Sequence, residues 1–189
     1  MYLIKGNYRL KKMAKLVSSA NRVLDLGCMQ QPNVYLNNKM VIGMDLNNGK
    51  LPPNYKELVV GDVMNLLSFF EKDFFDAIVA GEIIEHLERP IDFLRNCYEI
   101  MSSGGQLVIS TPNPHSIFEF LLTINLSRKY FYHPVHVCLY PQRWLIRMFE
   151  RAGFKNVQVI AGGTELPIIG TVPSSRLLSG FTIVKGVKP

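Results

Sequence analysis

Short apolar runs alternate with helical stripes along most of the chain. The runs Arg22–Gly27, Met40–Leu46, Glu57–Gly61, Phe74–Ala80 and Gly105–Ser110 are dense in Val, Ile, Leu and Phe and are bounded by Gly, Asn, Pro or Asp. Runs of this length and kind predict strands buried on both faces. Between them, Pro90–Met101 carries Leu94, Cys97, Tyr98 and Met101 on one helical face and stops at Ser-Ser-Gly-Gly. Pro141–Ala152 carries Leu145, Met148, Phe149 and Ala152, opens with Pro near the first helical position and ends at Gly153; these are ordinary helix start and stop signals. Lys155–Ala161 and Phe181–Lys185 read as two further strands, Tyr8–Val17 as a basic N-terminal helix, and Pro32–Asn38 as a helix of about two turns. Strand, helix, strand in repetition predicts an α/β, doubly wound, mostly parallel sheet with helices on both faces.

Composition narrows the class. The chain has 189 residues, 48% hydrophobic and 19% charged, which fits one folded domain over 1–189 and excludes disorder as the main state. Its net charge is 21 − 15 = +6. Apart from Lys11, Lys12 and Lys15 that charge is scattered, so no nucleic-acid partner is expected. Cys28, Cys97 and Cys138 are far apart and form no CxxC pair. This argues against a disulfide framework and a structural zinc, and for a reducing, cytoplasmic setting. The N-terminus lacks the apolar core of a signal peptide, and no apolar run approaches the ~20 residues of a bilayer span. Peripheral membrane contact stays open.

In doubly wound sheets the ligand lies outside the carboxyl ends of the strands. Acidic residues stand at four consecutive predicted ends: Asp25 before Leu26-Gly27-Cys28, Asp45, Asp62 and Glu82. Any one of them could merely cap a helix; four together point to a polar ligand, because unpaired buried carboxylates are expensive. VLDLGC, then GMDL, GDV, FDAIVAGEIIEHLERP and GGQLVISTPN, resembles the class I S-adenosylmethionine-dependent methyltransferases, closest to their small-molecule and sugar group. That resemblance covers roughly residues 22–160. It implies a Rossmann-like, seven-stranded sheet with an antiparallel last strand, and S-adenosyl-L-methionine as cofactor. It implies Asp45 with Leu46 at the ribose, Asp62 and Val63 at the adenine, Asp25, Gly27 and Cys28 beneath the methionine part, and Ala80, Gly81 and Glu82 at the sulfonium end. A carboxylate suits a ribose because it accepts two hydroxyl protons.

The chain departs from that family in its first loop. Gly27 is followed by Cys28-Met29-Gln30-Gln31-Pro32 instead of a second glycine. Either Met29 and Gln31 crowd the cofactor's tail, or a helix starting early at Pro32 still offers free N–H groups to it. The lead reading is O-methylation of a small, sugar or lipid-linked acceptor, with His136, His115 and Glu82 as candidate catalytic groups. A neutral histidine suits a hydroxyl nucleophile because its unperturbed pKa is ~6.5. A catalytically silent relative that binds a partner is one alternative. Another is a metal-assisted RNA 2′-O-methyltransferase: Glu82, Glu85, His86 and His136 resemble the four ligands of the small-RNA 3′-terminal enzymes. The lead reading assigns no metal, since Glu85 and His86 can also pair on a solvated helix that begins near Glu82. Residues 1–20 form an N-terminal helical segment that either closes over the cofactor or is a solvated face. Residues 116–140, with His133 within them, form an apolar cover over the acceptor, and residues 162–179 a second apolar connection.

Overall fold

The computed structural model describes residues 6–38, 40–117, 135–166 and 170–189. Strands β2 (Arg22–Leu26), β3 (Met40–Asp45), β4 (Glu57–Val60), β5 (Phe75–Gly81), β6 (Met101–Pro112), β7 (Lys155–Ala161) and β10 (Phe181–Val187) form one sheet in the order β4-β3-β2-β5-β6-β10-β7. The pairs among β4, β3, β2, β5 and β6 are parallel, and β10 runs antiparallel between β6 and β7. The order reverses between β2 and β5, which is the switch point where such sheets open a crevice.

Burial alternates with the period of two that a strand imposes. Leu24, Leu26, Ile78, Ala80, Leu107 and Ile109 face one cluster, with Phe93 and Leu94 of α2 (Pro90–Ile100) and Leu145 and Phe149 of α3 (Gln142–Ala152). Val23, Ala77, Val79 and Val108 face the other, with Met13, Ala14 and Val17 of α1 (Tyr8–Leu16) and its end. Continuous apolar runs were required because each strand feeds both clusters. α3 ends at Gly153, whose φ of 109° is the left-handed stop that glycine allows.

Three expectations are corrected. Residues 32–38 form turns and no helix. Pro32 has no N–H, Asn33 spends its own on the Tyr55 hydroxyl at 2.7 Å, and the Asn33 side chain accepts from Tyr35 N–H in a local turn. Residues 162–179 are not a plain loop. They carry β8 (Thr164–Leu166) and β9 (Gly170–Val172), and β9 pairs in parallel with β1 (Gly6–Asn7). Glu82, Glu85 and His86 do not share the face of an α-helix: Glu82 is left-handed at φ 56°, and Ile84–His86 is a single 3-10 turn.

Candidate active site

A cleft of about 490 Å³ opens at the carboxyl ends of the parallel strands. Gly27 follows β2, Asp45 ends β3, Asp62 follows β4 and Glu82 follows β5, and all four line the cleft with Leu46, Val63, Gln30 and Asn47. Ile83, His86, Leu87 and Val135 complete its wall. Asp25, Cys28, Ala80 and Gly81 are not among the lining residues. Ala80 and Cys28 lie in the core, and burial raises the Cys28 thiol to about 12. Gly81 lies beside the Arg9 guanidinium: a Cβ there would sit 3.5 Å from its Nη1.

Gly27 has a φ of 67°, and a side chain there would press on Ile83 at 2.9 Å. Bare backbone therefore borders the cleft where a ligand approaches closely. The Asp45 carboxylate, 7% exposed, accepts from Met29 N–H at 2.9 Å and from Asn47 N–H at 2.9 Å. Met29 thus turns its backbone to Asp45, and its Cε packs beside Gly49, where an added Cβ would meet it at 2.2 Å. Gln31 accepts from Arg9. Neither lines the cleft; Gln30 does. The exposed Asp62 accepts from Met64 N–H at 2.8 Å and so also caps the 3-10 turn Val63–Ser68.

Asp25 lies behind the cleft, 6% exposed. Tyr55 donates its hydroxyl to the carboxylate, and Asn33 Nδ2 donates to the Leu10 carbonyl at 3.1 Å, tying the first loop to α1. Burial raises the Asp25 carboxyl to about 7, against the lowering effect of the Tyr55 hydrogen bond. A folded-state acid pKa above the unfolded ~3.9 means the native state holds an extra proton between the two values, so stability falls as pH rises from about 4 to 7. Asp25→Asn keeps an acceptor for Tyr55 and removes that titration. In urea denaturation the variant should gain on the wild type from pH 5 to pH 7 and then level off; a constant difference across that range would contradict the assignment.

Arg9 was not legible as a site residue, yet it is 6% exposed and reaches the strand ends from α1. Its Nη1 pairs with Glu82 Oε1 at 2.9 Å and donates to Ser110 Oγ at 2.8 Å, and the guanidinium lies 4.8 Å from the Phe181 ring centroid. Its Nε is buried and meets no hydrogen-bond partner among the described residues. The signal was there in part: Arg9 shares the stripe of Leu10, Met13 and Ala14 rather than that of exposed Lys11 and Lys15. Tyr55, Asn47 and Ser110 carried no such signal.

On the other side of Glu82, Glu85 is fully buried. Its Oε2 accepts from Thr111 Oγ1 at 3.0 Å, and its Oε1 meets no hydrogen-bond donor among the described residues. Burial first, then the Glu82 charge, raises the Glu85 carboxyl to about 8; burial likewise raises Glu82. The Glu85 carbonyl accepts from Val137 N–H at 2.7 Å, and His86 Nδ1 lies 2.8 Å from the Val135 carbonyl. This pinning brings His136 to 4.8 Å from His86, ring centroid to ring centroid. One ligand atom from each of Glu85, His86 and His136 falls within 4.8 Å of the others. His115 is exposed on the loop after β6, its N–H held by Asn113 Oδ1 at 3.2 Å, and does not line the cleft. His133 and most of the expected cover, residues 118–134, lie outside the described residues.

Comparison with known proteins gives this arrangement a class. A SAM-dependent methyltransferase from Archaeoglobus fulgidus superposes with a TM-score of 0.73 at 22% identity, covering 96% of this chain and 92% of that one. One from Thermotoga maritima gives 0.75 at 19%, covering 98% and 90%. The methyltransferase domain of a bacterial Hen1 gives 0.67 at 19%, covering 96% and 97%. The mitochondrial ubiquinone biosynthesis O-methyltransferase of Mus musculus is 29% identical over 110 residues, 50% of this chain and 30% of that protein. The match therefore spans about a third of that curated relative. The fold is that of the S-adenosylmethionine-dependent methyltransferases. A family described as "Methyltransferase domain" matches residues 7–159, and the chain belongs to that family.

Proposed function

We propose that the chain moves a methyl group from S-adenosylmethionine to an oxygen of a small, partly apolar acceptor. The observation that carries this reading is the ring of Asp45, Asp62 and Glu82 around the exposed backbone of Gly27, in a cleft sized for a small molecule. The bound cofactor supplies a methyl group on a positively charged sulfur. Asp45 accepts from the ribose hydroxyls, and Asp62 and Val63 border the adenine. Gly27 lets the backbone approach the amino-acid part, and Arg9, which does not line the cleft, holds Glu82 from behind it. Glu82, whose side chain keeps 26% of its surface exposed, faces the sulfonium end. The O-methyltransferase named among the relatives supports oxygen as the target, and Ile83, Leu87 and Val135 give the cleft an apolar wall. Displacement at carbon needs chiefly alignment, with the nucleophile held about 3–3.5 Å away. His136, which does not itself line the cleft but stands 4.8 Å from His86 of its wall, ring centroid to ring centroid, is the group to take the hydroxyl proton.

Titration calorimetry with S-adenosylmethionine and with its demethylated product tests the reading. Micromolar binding of both supports it. Absence of heat and of a thermal shift with either ligand removes the enzyme and leaves a partner-binding relative.

The Glu85, His86 and His136 cluster favours a second reading, in which a divalent cation assists the acceptor. Two imidazoles and a carboxylate whose buried oxygen meets no hydrogen-bond donor among the described residues form a mixed donor set for such an ion. The Val135 carbonyl at His86 Nδ1 makes that nitrogen the protonated one and orients the ring. Manganese or magnesium should raise the melting temperature of the chelator-treated protein by several degrees, as a ligand of the native state does. The shift should vanish in His136→Ala. An unmoved melting temperature at millimolar metal removes this reading and leaves His136 as the base.

A further inference from the structure

We propose that the exposed face of α3, with the segment that leads into it, docks the protein on an anionic lipid surface. The inner face of α3 is spent in the core by Leu145, Met148, Phe149 and Ala152. Its outer face carries Arg143, Arg147 and Arg151, all exposed. They repeat at i, i+4 and i+8, so they form one stripe along the helix. Glu150 is the acidic residue exposed beside them. Trp144 stands next to the stripe, 51% exposed, with the Arg147 guanidinium 5.5 Å from its ring centroid.

The approach to α3 is apolar and open. Val135 is 57% exposed, Val137 58% and Leu139 39%. These residues are fixed rather than dangling, because Val137 and Cys138 donate their N–H groups to the Glu85 carbonyl. A tryptophan flanked by arginines, with exposed aliphatic side chains in the segment that leads into the helix, suits a bilayer interface: the ring would sit at headgroup depth, the guanidinium groups would meet lipid phosphates, and the aliphatic side chains would reach the acyl boundary. A nucleic-acid backbone would reward the arginines but not the three exposed aliphatics. No helix among the described residues is long and apolar enough to cross a membrane, so the contact is peripheral.

The surface is continuous with the cleft, because Val135 belongs to both. Docking there would turn the acceptor's entrance toward the lipid, and an acceptor with a long apolar tail could present its head without leaving the bilayer. The purpose of this surface rests on the partly apolar acceptor proposed above; its test does not, since it needs neither cofactor nor methyl transfer.

Trp144 is the single tryptophan of the chain and reports directly on its surroundings. The full chain is titrated with vesicles of phosphatidylcholine alone and with vesicles about one-third phosphatidylglycerol, the latter also with brominated acyl chains. The expected result is a blue shift with the anionic vesicles, quenching by the brominated chains, and co-sedimentation that weakens as salt rises. Arg143→Gln with Arg147→Gln should weaken vesicle binding about 25-fold, since each arginine near such a surface is worth roughly five-fold. Both positions are exposed, and an unchanged melting temperature confirms that the variant folds. Lack of co-sedimentation, lack of quenching, or equal affinity of the double variant would overturn the proposal. So would an emission shift produced by single-stranded RNA and not by vesicles. Failure here with intact cofactor binding leaves the methyltransferase reading standing.

Discussion

Replacing Arg9 by Leu is expected to destabilise the protein by about 3–5 kcal/mol, the usual cost of removing one partner from a buried ion pair. The reason is what remains. Glu82 and Glu85 are two interacting carboxyls in a site whose burial already raises both, and Arg9 is the charge that lowers Glu82. Without it, Glu82 must hold a proton or stand as an uncompensated anion beside a buried neighbour. The loss should therefore deepen as pH rises, since keeping that proton costs more at pH 8 than at pH 5. The double variant Arg9→Leu, Glu82→Gln removes both members of the pair and should recover more than half of the lost stability. Urea denaturation of the three proteins at both pH values checks the sign and the coupling; additive losses would show that the pair is not linked. The same arginine should set affinity. In Arg9→Leu, S-adenosylmethionine should bind at least tenfold more weakly, because Glu82 loses the partner that holds it at the cleft.

Asp45→Ala should weaken S-adenosylmethionine binding by about a hundredfold or more. Each hydrogen bond from a hydroxyl to a charged acceptor is worth about 1.5–3 kcal/mol, and the carboxylate at the end of β3 can take two. The substitution also frees Met29 N–H and Asn47 N–H, which now converge on Asp45. Part of the loss would come from a loosened first loop, and Asp45→Asn separates the two causes. It keeps one acceptor oxygen for the loop and removes the charge, so it should fall between wild type and Asp45→Ala. Calorimetry at one salt concentration measures all three. An Asp45→Ala affinity within tenfold of wild type would place the ribose elsewhere.

The sheet was legible because its strands are apolar on both faces, and no other common element writes uninterrupted Val/Ile/Leu runs bounded by turn residues. The ends of β2, β3 and β4 fall within a residue or two of their expected positions, since Gly27, Asp45 and Gly61 mark them in sequence. Even β10, antiparallel between β6 and β7, follows from the resemblance. The site was less legible, and the reason is distance along the chain. Asp45 and Glu82 announce themselves by standing at strand ends. Arg9 reads as one more cation in a basic helix until α1 is laid on the sheet, and Tyr55 reads as a loop aromatic until its hydroxyl is found on Asp25. Residues 32–38 misled for a different reason: Pro at a start position is a strong local signal, but the asparagines behind it satisfy the backbone through turns. Glu82 and Glu85 misled on conformation and not on proximity, since a left-handed residue followed by a 3-10 turn still brings the two carboxyls into interaction.

The pairing of Gly6 with Gly170 and of Asn7 with Thr171 has a consequence for the order of assembly. During synthesis the strand ends bearing Asp45, Asp62 and Glu82 leave the ribosome long before residues 170–172. Yet α1, which brings Arg9 among them, begins directly after Asn7 and contacts β9. Until residues 170–172 are made, the acidic rim lacks the strand that anchors the helix of its cation. A nascent chain stalled after β7 also lacks β10, the strand between β6 and β7, so it should display only the parallel part β4-β3-β2-β5-β6, with an unclosed, electrostatically frustrated mouth. Closure by a segment made after the sheet's parallel strands leaves the cleft open to protonation, or to a chaperone, until that segment emerges.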